Sequence, residues 1–494
     1  YMLVEELILH FMPQIFSKYT IKSKSLIRII RNADIDVDDA FYDEDLDYRN
    51  TMEKMIRERR KLCPVKMEHS RLLDEKVMTL CKELKLNKDQ IYYSEAPLSM
   101  SFISQIRDKL HGKKDLFYVR RVPQNSRYVR SSLSMMEQIE AGDILLSYPF
   151  ESMQPFIRLL NEAGENEKVV SIKMTLYRVA KNSQIVEALI NAAENGKEVV
   201  VLVELRARFD EENNIEWSRR LEDAGCRIIY GIDHIKVHSK LCLITYCDGT
   251  EVKHITQIGT GNYNEQTAKL YTDLSLMTAN QDIAEEAAQV FNRLCMAQVM
   301  EETHHLLVAP KCLQNKVLDF IEEEICHADN NEPAYIGVKM NSLTDKTIID
   351  KMVEASQHGV KIDLVVRGIC CLIPGIEGYT ENIRVISIVG RYLEHSRIYI
   401  FGTPERDKMF ISSADFMTRN MVKRVEVATP IYDTEIKDRV RTMFGIMLHD
   451  TVKGRELCRD GNYYRREKPQ EESEVISSQA YFSNEAYLAA SKNV

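Results

Sequence analysis

The sequence predicts an α/β protein in which two similar α/β domains follow a smaller mixed α/β head domain. Three observations predict it: strand-like runs alternate with amphipathic helices, a long pattern occurs twice, and 494 residues exceed what one hydrophobic core serves. We expect a head domain over residues 1–122, a first repeat domain over 123–305, a second over 306–465 and a C-terminal tail over 466–494.

The composition is that of an ordinary globular protein, with 44% hydrophobic and 29% charged residues. The formal net charge of -9 predicts no general attraction for nucleic acid, so any anion site must be a local basic cluster. No apolar run approaches the roughly 18 residues of a membrane-spanning helix. The 11 cysteines show neither a CxxC pair nor zinc-site spacing, which favours a reducing cytoplasm.

The head domain reads as mixed α/β. The stretch "SLIRIIRNADIDVDD" predicts a strand that runs into an acidic turn, "YRNTMEKMIRERRKL" a charged helix, and "PVKMEHS" a strand followed by the helix "RLLDEKVMTLCKEL". A basic stretch interrupted by Pro123 ends this domain. At the other end of the chain, the polar and charged segment "RELCRDGNYYRREKPQEESEVISSQ" predicts a mobile tail.

Residues 168–275 and 333–428 are two copies of one pattern. Each copy reads strand, helix, glycine turn and strand, and Gly196 or Gly359 ends the helix. A repeat of about 150 residues is far longer than a solenoid unit, so it indicates two similar domains in one chain. Strands that alternate with helices predict a mostly parallel sheet in each.

The second part of each copy carries a histidine. "HSKLCLI" at 238 corresponds to "HSRIYIF" at 395, "QIGTGNYN" at 257 to "FISSADFM" at 410, and "TDLSLM" at 272 to "VEVATP" at 425. A single histidine before a strand is more often structural than chemical. A twofold arrangement, however, would bring His238 and His395 to one cleft, where one ring attacks and the other handles the leaving group's proton.

Basic residues near both histidines indicate a phosphate substrate. Lys240 and Arg397 lie two residues beyond the histidines, so on a strand they share a face with them. Guanidinium groups bind phosphate oxygens in pairs and lysine supplies a point charge. Further arginines fall at or beyond predicted strand ends, where open α/β sheets bind ligands: Arg178, Arg206, Arg208 and Arg367.

Three more features belong to this constellation. Asp273 and Glu426 occupy matched positions, and each either fixes a histidine tautomer or pairs with an arginine; the pairing of acids with histidines stays open. Tyr271 shares a face with Asp273 and either stacks on a nucleotide base or belongs to the core. The turn "GTGNYN" at 259–264 lacks the Walker pattern, but its small residues would let the backbone approach an anion.

The motifs "TLYR", "LVELRARFDEENNIEW", "VHSKLCLI", "GTGNYNEQTAKLYTD", "VRGICCLIPG" and "LEHSRIY", in this order, resemble the polyphosphate kinase family of the phospholipase D superfamily. The resemblance runs from the start of the chain to about residue 465. It implies two phospholipase D-like catalytic domains. It also implies reversible transfer of the γ-phosphate of ATP to the end of inorganic polyphosphate through a phosphohistidine.

Specific roles follow from the resemblance. It implies that His238 is the nucleophile that becomes phosphorylated, and that His395 is the general acid/base and a nucleotide contact. It also implies that Tyr271 and Arg367 contact ATP. The family has an additional N-terminal domain that contributes to nucleotide binding, and we expect it to precede Tyr1.

The family's magnesium positions match Arg178 and Arg208. A guanidinium cannot ligate a cation, so we expect these side chains to hold phosphate oxygens that themselves bind Mg²⁺. Mg²⁺ is therefore the expected cofactor, and ATP, ADP and inorganic polyphosphate are the expected partners. The resemblance also implies a cytoplasmic homodimer or tetramer, with at most a peripheral association with the inner membrane.

Two other functions stay open. The same histidines could serve a phospholipase D-like phosphodiesterase, although Arg397 in place of a second lysine suits a more highly charged substrate than a diester. A non-catalytic scaffold that binds polyphosphate would keep the fold and lose the turnover.

Overall fold

A computed structural model describes residues 2–32, 53, 62–71, 75–110, 112–205, 207, 210–232, 234–467, 469–471 and 474–491. The chain forms two compact units, Tyr1–Arg121 and Val122–Val494. Within the described ranges, no helix has the length and apolar character that crossing a membrane requires.

The first unit contains a three-stranded sheet in the order β1-β2-β3, with β1 antiparallel and β3 parallel to β2. Its strands and helices are β1 (Ile27–Arg31), β2 (Pro64–His69), β3 (Ile91–Tyr93), α1 (Val4–Ile15), α2 (Glu75–Glu83) and α3 (Phe102–Lys109). The predicted strands and the helix after the second of them are confirmed. The acidic turn after β1 and most of the charged helix expected over 48–62 lie outside the described residues.

The second unit holds two large sheets with the same strand order. The first sheet runs β4-β11-β10-β9-β5-β6-β7 and the second β12-β19-β18-β17-β13-β14-β15, with β20 and β21 added at its edge. The first sheet comprises β4 (Ile144–Tyr148), β5 (Val169–Leu176), β6 (Glu198–Val203), β7 (Arg227–Ile229), β9 (Leu241–Asp248), β10 (Glu251–Gly259) and β11 (Tyr271–Thr278). The second comprises β12 (Leu307–Ala309), β13 (Tyr335–Met340), β14 (Lys361–Val366), β15 (Ile383–Ile388), β17 (Arg397–Phe401), β18 (Lys408–Ser412), β19 (Arg424–Pro430), β20 (Gly454–Leu457) and β21 (Tyr463–Arg465).

The matching orders confirm the duplicated α/β architecture that the repeat predicts. The expectation of mostly parallel sheets is wrong, because among the seven matched strands of each sheet only three run parallel, β5, β6 and β7 in the first sheet and β13, β14 and β15 in the second. The remaining pairs are antiparallel, since short turns join successive strands such as β9 and β10.

Helices cover the sheets of the second unit. They are α4 (Met135–Ala141), α5 (Gln154–Glu165), α6 (Gln184–Glu194), α7 (Glu211–Asp223), α8 (Gln281–Cys295), α9 (Cys312–Asp329), α10 (Lys346–Gln357), α11 (Thr418–Val422), α12 (Thr434–Leu448) and α13 (Ser478–Ser491). The repeat helices α6 and α10 begin at matched caps, where Ser183 and Asp345 accept from backbone N–H groups. Gly196 and Gly359 follow these helices with φ of 82° and 89°, as the predicted glycine turns require.

The chain end differs from its prediction. The segment predicted to be mobile, residues 455–479, contains β21 and most of β20, and residues 478–491 form helix α13. Phe482 and Ala486 pack in a core with residues of β17 and α12. These two side chains lie four positions apart on one helical face, which the polar segment before them obscured.

The contrast in burial between two residues of β5 gives a stability test. Ile172 is 0% exposed and Val170 on the same strand is 49% exposed. Ile172→Ala should lower the free energy of unfolding by about 2–5 kcal/mol, because it leaves a cavity in the core. Val170→Ala should change it by about 0.5 kcal/mol or less. Urea unfolding followed by the fluorescence of Trp217, the single tryptophan, measures both, and equal effects would contradict the assigned burial.

Candidate functional site

Two very short strands cross between the large sheets and carry the histidines. Strand β8 (Lys236–Val237) pairs in parallel with β19 of the second sheet, and β16 (Leu393–Glu394) pairs in parallel with β11 of the first. His238 follows β8 directly and its N–H donates to Val425 O at 2.9 Å. Each histidine is therefore delivered to the edge of the opposite sheet.

His238 is oriented by a carboxylate from that opposite sheet. Its Nδ1 lies 2.9 Å from Glu426 Oε2, which also accepts from Ser413 Oγ at 2.5 Å. Burial, and then the positive charges of Lys240 and Arg424, hold the pKa of His238 well below its ordinary value. The neutral ring thus donates Nδ1–H to Glu426 and keeps the Nε2 lone pair available.

His395 has the matching arrangement. Its Nδ1 lies 2.8 and 3.0 Å from the two carboxylate oxygens of Asp273, and Thr260 Oγ1 donates to Asp273 Oδ1 at 2.6 Å. Burial lowers the pKa of His395 although Asp273 opposes the shift. Burial alone would raise the pKa of Asp273, but His395 and Thr260 bring it below its ordinary value. An ionised carboxylate therefore orients a neutral imidazole.

This geometry answers the question that the sequence left open. Glu426 of the second sheet serves His238 of the first, and Asp273 of the first serves His395 of the second. The pairing crosses between the repeats, and no sequence spacing reveals a crossing of this kind.

The small residues of the turn at 259–264 make room for a carboxylate. A Cβ at Gly261 would lie 2.0 Å from Asp273 Oδ2, so only glycine lets this side chain reach His395. We expected these small residues to let a bound anion approach the backbone. In the structure the space at Gly261 is instead filled by the Asp273 carboxylate. Ser413 binds Glu426 from the equivalent turn of the second repeat.

Lys240 lies beneath His238. It is fully buried, its Nζ donates to His238 O, and the same Nζ lies 5.4 Å from the centre of the Tyr177 ring. Burial lowers the pKa of Lys240 to about 7, while Glu426 opposes the shift. A bound anion would favour the protonated form, so binding of a phosphate should be accompanied by proton uptake at neutral pH.

The guanidinium group of Arg397 is bound by other groups of the protein. Its Nε and Nη2 each lie 3.2 Å from Asp415 oxygens, and its Nη1 donates to His395 O at 2.7 Å and Thr260 O at 3.2 Å. Although burial would raise the pKa of Asp415, Arg397 brings it down to about 2. The structure thus places Arg397 as a support for His395. Sequence reasoning missed Asp415, although it aligns with Asn262 in the repeat.

Two predicted nucleotide contacts lie beside His395. The Tyr271 ring centroid is 5.3 Å from the His395 ring at an angle of 50°. Arg367 is half-buried, and its Nε donates to Asn341 Oδ1 at 2.8 Å and to Glu394 O. The structure therefore brings Tyr271 and Arg367 to the same histidine.

The predicted magnesium positions are described only in part. Arg178 Nε lies 3.0 Å from Asp210 Oδ2, whereas Arg206 and Arg208 fall outside the described residues. In the part of the chain that the structure describes, no cluster of three or more His, Cys, Asp or Glu side chains suits a metal ion. The carboxylates that contact the two histidines and Arg397 are thereby already engaged within the protein, so the described residues do not fit a magnesium ion held by protein ligands.

Buried acids that the sequence did not single out hold the crossing strands. Glu204 Oε2 accepts from Val237 N at 2.9 Å, next to His238. Glu394 Oε2 lies 3.0 Å from Lys339 Nζ and accepts from Thr272 Oγ1 at 3.0 Å, next to His395. Each of these acids lies close to a histidine in space, but neither forms a recognisable sequence motif with it.

Comparisons with known proteins agree along the chain. The family models for the polyphosphate kinase middle domain, C-terminal domain 1 and C-terminal domain 2 match residues 1–106, 134–300 and 306–479. The polyphosphate kinase of Bacillus cereus is 43% identical over 467 residues, which are 94% of this chain and 66% of the relative. That of Staphylococcus epidermidis is 43% identical over 487 residues, 98% of this chain and 65% of the relative.

A solved structure agrees as well. The crystal structure of polyphosphate kinase from Porphyromonas gingivalis superimposes with a TM-score of 0.84 at 31% identity, covering 99% of this chain and 71% of that one. The chain thus spans about two thirds of the length of the relatives that it matches. With three domain models in order and relatives at this identity, the chain belongs to the polyphosphate kinase family.

Proposed function

We propose that the paired-histidine site transfers a phosphoryl group reversibly between ATP and the end of inorganic polyphosphate, through a phosphohistidine on His238. The observation that carries the proposal is the contact of 2.9 Å between His238 Nδ1 and Glu426, which leaves a neutral Nε2 as the nucleophile. Membership of the polyphosphate kinase family supports the choice of substrates.

The transfer takes place in two displacements. In the first, the Nε2 lone pair of His238 attacks the γ-phosphorus of ATP; the N–P bond forms, the bond to the bridging oxygen breaks, and ADP leaves with the electron pair. In the second, a terminal oxygen of polyphosphate attacks the same phosphorus, and the N–P electron pair returns to Nε2. Glu426 holds the Nδ1 proton in both steps, so the ring keeps one tautomer.

His395 is proposed to act on the opposite side of the phosphoryl group. Its neutral ring can accept a proton from a terminal phosphate or return one, and Asp273 stabilises the imidazolium that forms. Tyr271 lies beside this ring and Arg367 donates to the carbonyl of the preceding residue, Glu394, which supports their assignment to the nucleotide.

Charge neutralisation supplies the remaining stabilisation. A loose phosphoryl-transfer transition state spreads charge over the equatorial oxygens, where fixed cations act most strongly. We assign this role to protonated Lys240, and to Arg178 and Arg208 the binding of phosphate oxygens. Mg²⁺ is proposed to arrive bound to the substrate phosphates rather than to sit in a preformed protein cage.

Labelling with ATP radioactive in the γ-phosphate tests the nucleophile. Wild type should give an acid-labile, base-stable phosphoprotein, and His238→Ala should abolish it. His395→Ala should keep some labelling and slow turnover, because its ring handles protons rather than the phosphoryl group.

His234→Asn is the control for that experiment. His234 lies in the same stretch and has φ of 61°, a conformation that asparagine tolerates, so this variant should label as wild type does. Cleavage of a phosphodiester without any ATP requirement would instead favour the phosphodiesterase. Polyphosphate binding without labelling or exchange would favour the non-catalytic scaffold.

The crossed carboxylates give a second prediction. Glu426→Gln and Asp273→Asn should each lower turnover by about a hundredfold or more, because the tautomer of the partner histidine is no longer fixed. Gly261→Ala should do the same by displacing Asp273. Glu251→Gln, an exposed change on β10, is the control for steady-state turnover. Turnover of Glu426→Gln equal to that control would contradict the assigned orientation.

The lowered pKa of His238 gives a third prediction. A histidine with the ordinary pKa of about 6.5 loses most of its nucleophilic form by pH 5.5. Because His238 titrates well below that value, the rate of labelling at saturating ATP should be maintained as the pH falls from about 7.5 to about 6. A rapid-quench profile should show this plateau, and a decline centred at pH 6.5 would contradict it.

A further inference from the structure

The strand that delivers His395 is too short to fix its own position. Strand β16 contains only Leu393 and Glu394, and it pairs with β11 through two residues. Its neighbours Val389 and Gly390 belong to a connecting segment in which Val389 is exposed. The position of the histidine therefore depends on side chains that hold this segment.

One such side chain comes from the C-terminal helix α13. Gln479 is 7% exposed, and its amide holds both backbone groups of Tyr392: Tyr392 N donates to Gln479 Oε1 at 2.9 Å, and Gln479 Nε2 donates to Tyr392 O at 2.9 Å. Nε2 also donates to Glu394 Oε1 at 2.6 Å. The glutamine amide thus acts as an extra strand partner along the crossing segment.

Glu394 connects Gln479 to the candidate site. Its other oxygen, Oε2, accepts from Thr272 Oγ1 at 3.0 Å and lies 3.0 Å from Lys339 Nζ. Thr272, which precedes Asp273 in the chain, in turn accepts at Oγ1 from His395 N at 3.1 Å. A short hydrogen-bonded path therefore leads from Gln479 to the backbone of His395.

Helix α13 is itself anchored at its first turn. Asp450 is buried, and its Oδ2 accepts from Ser478 N at 2.8 Å and Ser478 Oγ at 2.6 Å. Phe482 packs on Phe150, whose ring centroid is 5.4 Å away, and Phe150 lies 5.8 Å from Tyr392. The polar anchor and this aromatic contact place Gln479 against the crossing segment.

We infer that the C-terminal helix positions the second histidine through Gln479, which is a positioning residue and touches no substrate. The inference rests on the proposed function only for its effect on turnover. The contact has no spare room, since a Cβ at Gly390 would lie 2.5 Å from Gln479 Oε1. Gly390→Ala thus disturbs the same contact from the other side.

The test compares Gln479→Met with wild type in the full chain. Methionine keeps the length and bulk of glutamine but removes its donors and acceptor, so the helix should still pack. Turnover from ATP to polyphosphate should fall by about tenfold to a hundredfold, because a shift of about 1 Å in a catalytic group costs up to roughly a hundredfold. Gly390→Ala should give a loss of similar size, and Leu488→Ala, an exposed change on the same helix, should leave turnover unchanged.

A double-mutant cycle separates positioning from general damage. In a His395→Ala background, Gln479→Met should cause little further loss, because the group that it positions is gone. An equal loss in both backgrounds would overturn the inference and leave Gln479 a merely structural residue.

Histidine-selective NMR gives a readout that needs no turnover. In Gln479→Met the pKa of His395 should move towards the ordinary value of about 6.5, while the resonances of His238 stay unchanged. An unchanged His395 titration would overturn the inference. If wild type transfers no phosphate while the His395 titration still shifts, the proposed function fails and the positioning by Gln479 stands.

Discussion

The candidate site depends on one interaction made twice: an imidazole from one sheet bound to a buried carboxylate from the other. His238 with Glu426 and His395 with Asp273 lie where two-residue strands pass between the sheets. Each contact fixes a tautomer, and each requires that both sheets be folded and docked. The duplicated fold, the tight turns and the buried basic residues all serve to keep these two contacts in place.

Much of the surrounding structure supplies room or charge for these contacts. Gly261 has no side chain because Asp273 occupies that space, and Thr260 and Ser413 donate to the two carboxylates from equivalent turns. Lys240 and Arg397 are buried, and each is balanced by nearby acids. Burying such charges costs free energy, which the paired acids offset.

The sequence predicts the duplicated fold, and most of the side chains that meet at the candidate site, because the repeat allows one half of the chain to be compared with the other. Gly196 with Gly359, and His238 with His395, become informative only as pairs. What the sequence does not predict depends on contacts between distant segments. The crossing that joins Glu426 to His238, 188 positions apart, leaves no periodic trace. The contacts of Gln479 with Tyr392 and Glu394 are likewise not predictable from the sequence, because the polar run before α13 resembles a tail.

The crossing has a consequence for the state of the chain during its synthesis and folding. A chain in which only the first repeat has folded holds a histidine with neither its carboxylate nor its opposing ring, since Glu426 and His395 both come later. Both histidine–carboxylate contacts therefore form in a single event, the docking of the second sheet on the first. Until that docking, neither ring has the carboxylate that fixes its tautomer.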